Sequence, residues 1–212
     1  IGSKVDEAMT QILKSGNAHV SDVFVPYKVS ANTNNIALNT SKLSLKSESL
    51  ASIESLALGI GAASNFAISG SLAVNTISNV TESKLKNTTS SKLNDLDVKS
   101  ADYSAILNMT GGLAGSGQNA AGLSGSLNIV GNTLSSSVEG GSVLNGLGSV
   151  DIESQSDAGI YSLVLGGAGS SQTAIGGALS FNKVGNQVEA FVDGSTVNSS
   201  DTVNIKAQDD AV

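Results

Sequence analysis

The chain has 212 residues, among them 24 glycines and 1 proline; cysteine and tryptophan are absent, and 3% of residues are aromatic against 40% hydrophobic. Without cysteine there is no disulfide framework, thiolate zinc site or iron–sulfur cluster. All 11 basic residues are lysines, so no guanidinium can clamp a phosphate or a guanine, and a net charge of −7 makes nucleic acid a poor partner.

The chain opens on Ile1 without a basic segment followed by an apolar one, which reads as a fragment or a processed product. In residues 1–20, Val5, Met9, Ile12 and Leu13 recur at helical spacing before Gly16-Asn17, which predicts a short amphipathic helix placed as a cap. Residues 21–42 read as lead-in strands, with Val23, Val25 and Val29 around Pro26. The sole histidine, His19, falls in the expected turn after the helix. A Ser–His–Asp site would have to use it, and a solvent-exposed turn residue is the simpler reading.

Residues 43–212 form an array. Leu43-Ser-Leu45, Leu96-Asp-Val98, Val150-Asp-Ile152 and Val203-Asn-Ile205 share one alternating shape, and the intervals from Leu45 to Val98, Ile152 and Ile205 are 53, 54 and 53 residues. Ile53, Ile106 and Ile160 make a second ladder in step with the first. Each opens an apolar stretch that ends in glycines: Gly59 and Gly61, Gly111 and Gly112, Gly166 and Gly167. These stretches are apolar on both faces, as in strands covered on both sides or facing a neighbour. Gly70-Ser-Leu72, Gly125-Ser-Leu127 and Gly177-Ala-Leu179 read as equivalents, which makes the middle unit two residues short before Val130-Gly-Asn132. Asn87, Gly140 and Gly194 fall at matching bends, where residues that tolerate positive φ are favoured.

Within the units the period is two: in residues 202–207, Val203, Ile205 and Ala207 point one way and Thr202, Asn204 and Lys206 the other. Repeated strands with small residues at the bends predict an all-β chain, a parallel β-helix or β-solenoid of about three units. Because 53 residues is long for one coil, two or three coils per unit are expected, lengthening a rod by roughly 10–15 Å per unit.

Chemistry-bearing patterns are sparse. Asp157, Asp209 and Asp210 follow equivalent anchors and are the candidates for a glycan-cleaving carboxylate pair at the turns; solvated turn residues are the preferred reading, since no arginine is present to hold a uronate. Gly115-Ser-Gly117 and Gly166-Gly-Ala-Gly169 lack the lysine and helix of a phosphate loop. The calcium-binding Gly-Gly-x-Gly-x-Asp nonapeptide is missing as well. No catalytic, cofactor or metal site is assigned, and no enzyme activity is expected. The longest apolar stretches, such as residues 160–168, are too short to span a bilayer as a helix, so no membrane insertion is expected of this segment.

The succession Ile160-Tyr-Ser-Leu-Val-Leu-Gly-Gly-Ala-Gly, Ala178-Leu-Ser-Phe-Asn-Lys-Val-Gly-Asn, Val188-Glu-Ala-Phe-Val-Asp-Gly-Ser-Thr-Val and Val203-Asn-Ile-Lys-Ala resembles the repeat of very large, filamentous, leukotoxin-type bacterial adhesins best known from fusobacteria. The likeness covers roughly residues 43–212. It implies a right-handed parallel β-helix in an extracellular stalk at the bacterial cell surface, exported by an autotransporter or two-partner route, with no active site in the repeats. The expected partners are a host or bacterial surface receptor or glycan, or further copies of the chain, end to end or side by side.

Overall fold

The computed structural model describes residues 18–212, with side chains from residue 27 onward. The predicted helix lies largely outside the described residues. All of the regular structure described is β: β1 (Ala18–Asn34) and β2 (Ala37–Leu38); β3 (Lys42–Ala63), β4 (Phe66–Lys86) and β5 (Thr89–Ser90); β6 (Asp95–Ser116), β7 (Asn119–Val130), β8 (Thr133–Glu139) and β9 (Val143–Leu147); β10 (Ser149–Gly169), β11 (Thr173–Val184), β12 (Gln187–Val192) and β13 (Thr196–Ser199); and β14 (Val203–Ala211). They stack as three parallel sheets. The first runs β3-β6-β10-β14, the second takes β1, β4, β7 with β8, and β11 with β12, and the third runs β2-β5-β9-β13. This is a parallel β-solenoid.

Register fixes the length of a coil. Leu45 pairs with Val98, Val98 with Ile152 and Ile152 with Ile205, so the predicted ladder is a physical column in adjacent strands. One repeat unit is therefore one coil, not two or three, and each unit advances the solenoid by only about 4.8 Å. The chain goes into breadth instead. β3 has 22 residues, hence a length of about 70 Å, whereas the few described coils stack to roughly 15–20 Å. The described part is a slab, wider than it is tall.

β1, read from sequence as an irregular lead-in, pairs residue by residue with β4 from Ala18↔Gly70 to Asn34↔Lys86. It forms the edge of the second sheet, the position at which a strand tolerates Pro26. His19 is in this strand, paired with Ser71, and not in a turn. The middle unit is not shortened: Ile77 pairs with Val130 and Val130 with Val184. The true counterpart of Gly70-Ser-Leu72 and Gly177-Ala-Leu179 is Leu123-Ser-Gly125, with leucine and glycine exchanged. The bends behave as expected, with Asn87, Gly140 and Gly194 all at positive φ (46°, 72° and 54°).

Each coil has two unlike ends. Where three sheets meet, Leu85, Leu93, Leu96, Val98, Leu144, Ile152 and their neighbours fill the interior, each buried side chain contributing about 1.5–3 kcal/mol. Farther along, Ile53, Ile77, Ile106 and Val130 form a second core between the two long sheets. Toward the turns joining those sheets, the inward residues shrink to alanine and glycine. There the sheets come into backbone contact: a Cβ on Gly61 would stand 2.7 Å from the carbonyl oxygen of Ile68, and one on Gly59, Gly112 or Gly166 would overlap the carbonyl of Gly70, Leu123 or Gly177. The glycines read as strand ends are thus strand interiors: Gly59, Gly61, Gly112 and Gly166 are small because there is no room between the sheets, whereas Gly111 and Gly167 lie under leucines of the outer face.

Candidate functional site

Strand alternation decides which side chains can do chemistry. Along β10, Ile152, Ser154 and Ser156 face inward and are fully buried, which turns Asp151, Glu153 and Asp157 outward. By register Asp157 pairs with Asp210, placing the two on neighbouring rungs of the same outer face. Asp209 pairs with Ser156 and takes its hydrogen bond from Asn186 Nδ2 at 3.0 Å, in the interior column. The structure thus brings Asp157 and Asp210 together and separates Asp209 from both. All three are in strands, not turns.

Asp157 lines a shallow open groove of about 360 Å3 with Leu50, Tyr103 and Tyr161. A second, about 790 Å3, adjoins it beside Glu54, Leu56, Leu107, Met109 and Leu163. Both lie on the outer face of the first sheet and are walled mainly by apolar side chains. Among the described residues, no three histidine, aspartate or glutamate side chains cluster as metal ligands would.

The interior holds a polar network that alternates with the apolar columns. Asn75 Nδ2 donates to Asn128 Oδ1 at 2.7 Å, and Asn128 Nδ2 to Asn182 Oδ1 at 2.8 Å, a ladder of identical amides rising through the coils. A second ladder uses the backbone: the Asn79 N–H donates to Asn132 Oδ1 and the Asn132 N–H to Asn186 Oδ1, both at 3.0 Å. At its centre is Asp102, with no exposed surface. Its Oδ1 accepts from Asn132 Nδ2 at 2.6 Å and Ser104 Oγ at 2.5 Å, and its Oδ2 from Asn79 Nδ2 at 3.0 Å. A carboxylate so enclosed cannot meet a substrate; its work is to hold adjacent rungs in register, since a slip would leave several buried polar groups unpaired. Asn79 and Asn108, each in an Asn-x-Ser/Thr triplet, are buried in these ladders and closed to glycosylation in the folded chain.

Charge collects at the three-sheet end of the coil. Glu82 is bridged by Lys28 and Lys84, both at 3.1 Å, Lys86 meets Glu139 at 3.2 Å, and Lys99 meets Asp151 and Glu153. Partial burial works to raise the pKa of Glu82, but its hydrogen bonds from Lys28 and Lys84 outweigh that and hold it below the usual carboxylate range. In Asp151 burial is likewise overcome, by hydrogen bonds from Lys99 and Asn204, and its pKa is lowered. The hydrogen bond to Asp151 raises Lys99 above the ordinary lysine value.

Comparison of the chain with protein-family models, with curated proteins and with solved structures finds no match. The reading of function therefore rests on geometry. The interior asparagine ladder has a sequence signal of its own that the aliphatic anchors overshadow: Asn75, Asn128 and Asn182 recur at the same intervals of 53 and 54 residues.

Proposed function

We propose that the chain is a scaffold segment of an extracellular bacterial adhesin, and that its stacked coils and broad faces, not an active site, perform its function. The single observation that carries this reading is the unbroken column from Leu45 through Val98 and Ile152 to Ile205, repeated across three sheets with bends at matching positions. Such an array grows by adding units that need only their neighbours. The one-coil unit changes what growth yields: about 11 residues are consumed per ångström of length, so a stalk of useful reach requires a very long chain. That demand suits the very large adhesins that the repeat resembles.

Electron microscopy and fibre diffraction of the purified chain test the scaffold, and display on beads presented to host or bacterial cells tests adhesion. Flat particles or stacks with an axial spacing of about 4.8 Å, and beads that bind cells, are the expected results. Compact globules without that spacing would overturn the scaffold; well-formed slabs that bind no cell would overturn the adhesive role alone.

One observation favours a second reading. Asp157 and Asp210 share an outer face, and Asp157 lines a groove with two tyrosines, an arrangement open to a polysaccharide. Turnover of acidic or neutral glycans, abolished by Asp157→Asn, would move the assignment from scaffold to polysaccharide-cleaving enzyme. No turnover is expected.

A further inference from the structure

The glycine-rich end of the coil exposes a run of large apolar side chains on its outer surface. On the first sheet, Leu56 pairs with Met109 and Met109 with Leu163, an aliphatic column facing solvent. These residues are 59%, 46% and 47% exposed. Beside that column, leucines and glycines alternate from rung to rung, as in Leu58, Gly111 and Leu165. A Cβ on Gly111 would lie 3.0 Å from Leu58 Cδ2, so the leucine lies down over the glycine of the next rung. The result is a level apolar face, suited to flat contact.

We propose that this face binds a second copy of the same chain, sheet to sheet, through Leu56, Leu58, Leu107, Met109 and Leu163. The proposal deepens the scaffold reading, on which it rests, by naming the surface through which slabs associate laterally. Area is the first argument. About ten half-exposed large side chains, at roughly 100 Å2 each, offer on the order of 1,000 Å2, beyond the largest patch usual on a monomer and enough for one side of a stable dimer. Charge is the second. A chain with a net charge of −7 repels its copy, but the ion pairs and most charged side chains sit at the other end of the coil; Asp157 lies at the margin of the apolar face, and Glu54, the register partner of Leu107, is among the described residues the one carboxylate beside the contact residues. Spacing is the third: two identical faces carry the same rise of about 4.8 Å per rung, so their side-chain columns can mesh along the whole contact.

Sedimentation equilibrium of the full chain tests this, with circular dichroism to monitor the fold. The wild type is expected to be a dimer at micromolar concentration. Leu107→Glu, which puts a charge at a 55% exposed position on the face, is expected to weaken association at least about 100-fold, whereas Leu179→Glu on the second sheet leaves it unchanged. A cross-linking arm guards against misfolding. The chain lacks cysteine, so Met109→Cys, near the middle of the patch where a two-fold axis brings a residue close to its own copy, should be joined to its partner by a short bis-maleimide, and Lys46→Cys at the charged end should not. A monomeric wild type at about 100 µM overturns the proposal, as does a dimer indifferent to Leu107→Glu, or monomers that float with phosphatidylcholine vesicles. In each of these cases, slabs retained in electron microscopy would leave the scaffold reading standing.

Discussion

Asp102 concentrates what individual side chains contribute to this fold. Its column runs Ser49, Asp102, Ser156, Asp209, so the same inward position holds a hydroxyl or a carboxylate but never an aliphatic group. The reason lies opposite, where each coil offers an asparagine amide: Asn79 Nδ2 reaches Ser49 Oγ at 3.1 Å as well as Asp102, and Asn186 Nδ2 reaches Ser156 Oγ at 3.0 Å. What matters at the position is an acceptor. Asp102→Ala takes the acceptor from the Ser104 hydroxyl and one acceptor each from the Asn79 and Asn132 amides, which keep only their bonds to Ser49 and Ser104, at an expected cost of about 3 kcal/mol. Asp102→Ser removes nearly the same volume yet restores an acceptor used elsewhere in the column, and should be about 1 kcal/mol less destabilising. Urea denaturation followed by circular dichroism measures the difference; equal losses would mean that volume, not hydrogen bonding, sets the cost.

At the scale of strands and sheets, the spacing of the two long layers is set by residue size. Gly112 faces inward against the carbonyl of Leu123, with no gap for a methyl group, whereas Gly115 has no atom within 4 Å of its absent Cβ. Gly112→Ala should therefore push the sheets apart and cost about 2–3 kcal/mol, while Gly115→Ala should be nearly neutral. Thermal melts of the two variants provide the check, and matched melting points would refute the close approach. The same glycines mark how far the sequence could be read. Alternation and the intervals of 53 and 54 residues made parallel β-stacking legible, because hydrophobic pairing leaves a periodic trace that needs no coordinates. Coil length was not legible: a glycine in a strand interior and a glycine at a strand end have the same letter, and only the sheet opposite distinguishes them. The placement of the candidate carboxylates was within reach. With Ile152 and Ser154 inward, parity alone turns Asp157 outward, just as Ile205 and Ala207 turn Asp209 inward and Asp210 outward. The apolar outer face was also foreshadowed in the stretches after Ile53 and Ile160, whose second face no other described strand covers.

Over the whole slab, charge and apolar surface are segregated to opposite ends, so solution conditions should act on the two ends separately. The charged end governs pH dependence. Glu82 and Asp151 have lowered pKa values in the folded chain, so the unfolded chain binds more protons in the acid range; their contribution is fully present above the ordinary carboxylate values and is lost as pH falls through the folded values. Lys99 is raised, so its contribution is present below the ordinary lysine value and is lost as pH rises through the folded one. These pairs are partly exposed, and each should contribute no more than about 1 kcal/mol. The double variant Glu82→Gln, Asp151→Asn is expected to be less stable than wild type at neutral pH and to lose less on acidification to about pH 3, bringing the two urea midpoints together. Its alkaline limb should flatten as well, because Lys99 no longer has its nearest carboxylate. The apolar end contains few titrating groups, so dimerisation through it should persist in salt that screens the charged end, since apolar contact does not depend on ionic strength as ion pairs do. Midpoints in wild type and double variant that fall in parallel with pH would place the acid sensitivity elsewhere in the chain, and association that weakens steeply with salt would show that charge, not the leucine-over-glycine face, brings the slabs together.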